Sequence, residues 1–169
     1  MKKSLLIVGL FSCALAQAQN VNIPDANFKA YLVGNSAINT NSDAEIQVSE
    51  AQAFNGAIDC SSSNIADLTG IEAFTALTSL TCHSNSLTTI NLNNNTALTY
   101  VQVALNSLTA LDVSNNLALE ILYCQNNQIT DLDLSNNSAL YSIYCPDNAL
   151  TSLNVANGNN TNTTNPFFT

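Results

Sequence analysis

Residues 77–97 read Leu77-Thr-Ser-Leu80-Thr-Cys82-His-Ser-Asn85-Ser-Leu87-Thr-Thr-Ile90-Asn-Leu92-Asn-Asn-Asn-Thr-Ala97, and the next three stretches of 21 residues repeat the pattern without a gap. The unit 98–118 places Leu98, Val101, Val103, Leu108, Leu111 and Val113 at the same positions. Leu119, Leu122, Cys124, Ile129, Leu132 and Leu134 follow in 119–139, and Leu140, Ile143, Cys145, Leu150, Leu153 and Val155 in 140–160. A fixed period of this length marks an array in which each unit buries its apolar side only against its neighbours.

Alternation at the fourth and sixth places predicts one short strand per unit, at 79–82 and its equivalents, stacked in parallel. The ninth place is always Asn: Asn85, Asn106, Asn127 and Asn148. It falls where the chain leaves the strand, so its amide is expected to pair with backbone groups of its own and the adjacent unit. Leaving such buried groups unpaired costs about 1–3 kcal/mol each, and the four Asn are read as structural. A second apolar alternation, at 90–92, 111–113, 132–134 and 153–155, predicts strand-like or turn segments on the return side. Asn95, Asn116 and Asn137 close the turn into the next unit; the fourth unit has Gly158 there, and the pattern fails.

The pattern L-x-x-L-x-C/V-x-x-N-x-L/I across 55–160 resembles the leucine-rich repeat family. Its wording is similar to secreted, Asn-rich proteins of Bacteroidetes-type bacteria, distantly like the internalins. The expected fold is an α/β repeat: a right-handed solenoid with 21-residue repeats, a parallel β-sheet on the concave face and a small helical N-terminal cap. The resemblance specifies the fold far better than it specifies a ligand.

Composition agrees with such a shell. Of 169 residues, 46% are hydrophobic and 9% charged, with 27 Asn and 22 Leu, so the polar surface is built mainly from amides and hydroxyls. Three basic against twelve acidic residues exclude a nucleic-acid footprint, which needs clustered Lys and Arg. Lys2, Lys3, an apolar run to Leu15 and the small-x-small Ala16-Gln17-Ala18 read as a signal peptide over 1–18, giving a secreted or outer-surface protein. Leu10 to Cys13 offers a rival lipidation box. Cleavage after Ala18 leaves one base, Lys29, against twelve acids, moving the net charge from -9 to -11. The apolar run is too short to span a membrane.

Before the regular units, Ile58, Cys60, Ile65 and Leu68 fit the same frame in a leading unit, 55–76, with Ser63 at the Asn place and a helical turn expected in 69–76. Residues 19–54 read as the cap. One helix starts at Pro24-Asp25, presents Phe28, Tyr31 and Leu32, and stops at Gly34; a second spans 49–54. Between them, 39–50 resembles an EF-hand or dockerin-like loop, with Asn39, Asn41, Asp43, Gln47 and Glu50 at ligand places and the carbonyl of Glu45 between them. The first ligand is Asn rather than Asp, and Ala44 replaces the turn Gly at a cost of about 1–2 kcal/mol. Two readings stand: a weak calcium site, the one cofactor foreseen, or a calcium-free relic. After 160, the tail 161–169 brings only Phe167 and Phe168, either as a minimal lid over Leu140, Leu150 and Leu153 or as an end that pairs with another copy.

Cys60, Cys82, Cys124 and Cys145 share the sixth place with Val103, which marks a small buried hydrophobe. Free thiols and the disulfides Cys60-Cys82 and Cys124-Cys145 are both conceivable in an exported protein. His83 faces outward beside Ser79, Thr81 and Ser84 without an acidic orienter, so no catalytic constellation forms. Asp112 and Asp133 read as a solvated face. The outward places of the sheet put Tyr100, Gln102, Ile121, Tyr123, Gln125 and Tyr144 in one uncharged patch, a candidate ligand surface or simply good strand formers. The expected role is non-catalytic recognition or adhesion toward an extracellular protein or glycan; a ligand-free spacer and a carbohydrate-binding surface protein are the alternatives.

Overall fold

The computed structural model describes residues 19–158 and the backbone of 165–167; the export-signal expectation for 1–18, and Phe168 of the lid expectation, lie outside the described residues. The chain opens with helices α1 (Ala26–Gly34) and α2 (Val48–Ala53) and continues into strands β1 (Ala57–Asp59), β2 (Ser79–Thr81), β3 (Tyr100–Gln102) and β4 (Ile121–Tyr123). Then follow β5 (Asp131–Asp133), β6 (Ser142–Tyr144), β7 (Ser152–Asn154) and β8 (Asn165–Phe167). One parallel sheet runs β1-β2-β3-β4-β6-β8, and β5 pairs with β7 in a second. Partners across the first sheet are Ala57, Ser79, Tyr100, Ile121 and Ser142, so the predicted period is the physical repeat: one step of 22 residues, then three of 21.

Leu80, Val101, Leu122 and Ile143, the central residues of their strands, are buried, and the sixth-place Cys60, Cys82, Val103, Cys124 and Cys145 form the next buried column. Each fully buried Leu or Ile contributes about 1.5–3 kcal/mol relative to exposure, and stacking turns these layers into one continuous core. The four cysteines are free thiols. Burial pushes the Cys60 thiol up to about 12 and Cys82 well above its ordinary value, which makes both poor nucleophiles at neutral pH.

Two asparagine ladders hold the turns. In the first, the Nδ2 of Asn127 donates to the carbonyls of Val103 and Cys124, each at 3.0 Å, and its Oδ1 accepts from Leu108 N at 3.0 Å. Asn106 and Asn148 repeat the arrangement one unit earlier and later, and Asn85 reaches back to the leading unit. Ser63 suffices at that place because no repeat precedes it to be tied down. The second ladder lies on the return side, where Asn95, Asn116 and Asn137 are completely buried and each donates to two carbonyls. In the fourth repeat Asn157, one place early, donates to Asn137 O in their stead, followed by Gly158 at φ 79°.

Return-side strands form only in the third and fourth repeats among the described residues, as β5 and β7, one residue ahead of the apolar triplets that announced them. The tail continues the sheet, and the backbone register pairs Phe167 with Tyr144 and Pro166 with buried Ile143; the side chains on which the lid expectation rests lie outside the described residues. An unpaired β6 would offer its edge to other chains, and Pro, which has no N–H to donate, is tolerated on the outermost strand.

The cap seals the opposite end. Asp25 caps α1 by accepting from Asn27 N and Phe28 N, and its second oxygen accepts from Ala66 N and Asp67 N in the leading unit. Tyr31 Oη accepts from Asp59 N at 3.0 Å on the outer edge of β1. The expected helical turn is a 3-10 turn, Ile71–Ala73. Gly70 precedes it at φ 107°, and a Cβ there would stand 2.8 Å from Ile23 and 2.9 Å from Asn22 O.

Candidate functional site

Strands β3, β4 and β6 alternate, so the residues flanking each buried centre face outward on the sheet. Tyr100 and Tyr123 meet edge to face with ring centroids 5.9 Å apart, and Tyr123 meets Tyr144 in the same way at 6.4 Å. The three rings make a continuous ladder across three repeats, each junction adding about 0.5–1.5 kcal/mol beyond burial. Tyr100 Oη donates to Gln102 Oε1 at 2.8 Å. Burial, then the neighbouring Tyr123 and Asp59, push the Tyr100 phenol above its ordinary value, so it remains a neutral donor. A shallow depression of about 290 Å³ is lined by Gln102, Tyr123, Gln125, Ser142, Ile143 and Tyr144. Ile121 stands between Tyr100 and Ser142 in the register. All six residues singled out in the sequence thus lie on one surface. It carries no charge of its own, and Tyr144 is its most open ring, 37% exposed.

The EF-hand-like loop is closed on itself. Glu50, 8% exposed, is the hub: Oε1 accepts from Thr40 N at 2.7 Å, Thr40 Oγ1 at 2.9 Å and Asn41 N at 3.3 Å, while Oε2 accepts from Gln47 N at 3.0 Å. Asn41 Nδ2 lies between Asp43 Oδ2 and Gln47 Oε1, and Gln47 Nε2 also donates to Asp43 Oδ2. Asp43 Oδ1 accepts from Glu45 N, and the Glu45 side chain pairs with Lys29 at 2.7 Å. Asn39 Nδ2 donates to Asp43 O and Val33 O, leaving Asn39 Oδ1 buried without a partner. Calcium takes six to eight converging oxygens. In this conformation the Asp43, Gln47 and Glu50 oxygens accept bonds from protein donors, and the amide nitrogens of Asn41 and Gln47 lie among them, so the loop is held shut by its own hydrogen bonds. No group of three or more His, Cys, Asp or Glu that could hold a metal occurs among the described residues.

The acidic column on the return side has a local cause. Asp112 Oδ1 accepts from Ser114 N and Asp133 Oδ1 from Ser135 N, both at 2.9 Å, and Asn91 and Asn154 make the same bond at the same place in their repeats. These are Asx turns. Hydrogen bonds from Ser114 and Ser135 lower the two carboxyls. His83 Nδ1 lies 3.0 Å from Ser84 Oγ.

One residue of interest escaped the sequence reading. The eighth place of every unit is left-handed, and in the second regular repeat it holds Leu105, 51% exposed. The signal was present as one aliphatic residue among Ser84, Asn126 and Asp147 at the same place.

A parallel-strand solenoid of 21-residue units with an asparagine ladder and a helical cap is the fold of leucine-rich repeat proteins. The chain is similar to the internalins: it is 40% identical over 82 residues, 47% of its length, to internalin J of Listeria monocytogenes serotype 4b (strain F2365), of which that stretch is 8%. It superposes on the solved functional domain of Listeria monocytogenes internalin J, described as including a cysteine ladder, with a TM-score of 0.74 and 39% identity. That match covers 85% of this chain and 32% of the other. The structure of internalin C2 from the same species shares the fold at 18% identity, with a TM-score of 0.58 and coverage of 83% and 78%. No family model matches the chain. The matches span 8% of internalin J and 32% of its solved functional domain.

Proposed function

We propose that this chain is an exported, non-catalytic recognition module that binds a protein partner through the concave face. The tyrosine ladder is the observation that carries the reading. Three rigid, amphipathic rings over three repeats supply contact area at little conformational cost, and tyrosine is enriched among residues that dominate binding energy. Gln102 adds an uncharged amide on the same surface, already tied to Tyr100 Oη. The internalin-like fold supports a role in protein interaction or adhesion, and no helix among the described residues is long and apolar enough to cross a membrane.

The test compares the intact protein with a Tyr100→Ser, Tyr123→Ser, Tyr144→Ser variant as bait for extracellular proteins, circular dichroism checking that the variant keeps its fold. A partner held by the first should bind the variant about 100-fold more weakly, the loss expected of a cluster of anchoring aromatic residues. Equal capture by both baits, or binding confined to a glycan array, would refute this assignment.

A further inference from the structure

The repeat frame forces a left-handed residue at its eighth place: Ser62 at φ 51°, Ser84 at 56°, Leu105 at 54°, Asn126 at 57° and Asp147 at 54°. Asn and Asp tolerate this region because a short polar side chain can bond locally; a long aliphatic side chain has no such relief. Leu105 does not recover the cost by burial, since half of it is exposed. The fold therefore does not favour its conformation and leaves half of its surface open, and residues held against such strain cluster at binding sites. Its location fits. Leu105 N donates to Gln125 O at 3.0 Å, which sets it beside a residue lining the depression at Tyr123 and Tyr144.

The charge around this face is one-sided. The segment 55–158 contains eight carboxylates and no Lys or Arg, and the chain's three basic residues are Lys2, Lys3 and Lys29. Lys29 is already paired with Glu45 in the cap. Three of the carboxylates belong to the strand side and are exposed: Asp59 on β1, Glu120 immediately before β4, and Asp147 at the eighth place of the fourth repeat. A potential of one sign around an uncharged floor favours the opposite sign on the partner.

We propose that Leu105 is an apolar anchor of the concave face, and that the face takes a basic polypeptide segment whose Lys or Arg residues flank an apolar side chain resting on Leu105. This rests on the recognition reading above and adds the anchor and the partner's charge. Two measurements on the intact protein test it. In the first, Leu105→Asn, which installs the residue of the next repeat, should raise the melting temperature by about 2–4 °C by relieving the left-handed strain. An unchanged or lower value overturns the strain argument.

In the second, a random dodecapeptide phage library is panned on the protein. Recovered sequences should carry net positive charge around an aliphatic or aromatic residue. A synthetic peptide from the leading group should bind Leu105→Asn and Tyr123→Ala about tenfold or more weakly, and should weaken as salt rises. Peptides without net positive charge, or salt-sensitive binding that Leu105→Asn leaves unchanged, overturn the inference. Loss with Tyr123→Ala but not with Leu105→Asn rejects the anchor and keeps the recognition face, whereas loss with neither rejects both.

Discussion

Replacing Asn127 with Ala should lower the stability of the protein by about 3–5 kcal/mol, among the largest effects expected of a single side chain outside the apolar core. The side chain is 8% exposed and serves three buried backbone groups at once: Val103 O, Cys124 O and Leu108 N. Two of them belong to the preceding repeat, so the change removes the fastening between repeats together with the turn of its own. Alanine leaves a gap that can admit water only in part, and each buried group left unpaired costs about 1–3 kcal/mol. Asn116→Ala is the informative comparison. Asn116 also donates to two buried carbonyls, but its Oδ1 is buried without a partner, and truncation removes that orphaned acceptor along with the bonds. Its effect should be smaller, at about 1–3 kcal/mol. Urea unfolding of both variants checks the order. Equal losses, or a loss below a few tenths of a kcal/mol for Asn127→Ala, would contradict the ladder energetics.

Glu50→Ala should cost about 2–4 kcal/mol, because one carboxylate both caps α2 and holds the loop before it. The substitution strands the N–H groups of Thr40, Asn41 and Gln47 and the hydroxyl of Thr40. Burial by itself would raise this carboxyl, but the bonds from Gln47, Thr40 and Asn41 outweigh it and hold the group below the ordinary glutamate value. A carboxyl whose folded-state value is depressed gives stability that is complete above its unfolded value, about pH 4–5, and is lost as pH falls through the folded value. Wild type should therefore converge toward Glu50→Ala in acid, and the gap should be full at neutral pH. A gap independent of pH would remove the carboxylate from this role. Calcium should leave the melting temperature unchanged while the loop stays closed. A calcium-dependent rise that Glu50→Ala abolishes would show that the loop opens around an ion.

The solenoid was legible in the sequence because its information is local and redundant. Leu80, Val101, Leu122 and Ile143 each announce a strand by alternation, and a period of 21 residues aligns them in parallel whatever the detail of the turns. The placing of Tyr100, Tyr123 and Tyr144 on one outward face follows from the same alternation. The cap helices were legible for a similar reason, since Asp25 lies directly before the first helical residue, where an N-cap belongs.

Only the tertiary structure decided matters that depend on which hydrogen-bond partner is nearest in space. Asp112 and Asp133 look alike as a free acidic column or as turn acceptors until Ser114 N and Ser135 N are seen on them. Residues 39–50 present calcium-like oxygens in sequence, yet in the folded loop Thr40, Asn41 and Gln47 bring their own donors to Glu50. The register at the end of the array, with Pro166 beside Ile143, came from the open edge of β6 rather than from any periodic signal. Leu105 differs again: its identity is plain in the sequence, but its strain exists only because neighbouring repeats impose a left-handed turn on whatever residue the eighth place holds. Periodicity fixes what every repeat shares, whereas each departure from it takes its meaning from the three-dimensional neighbours that accommodate it.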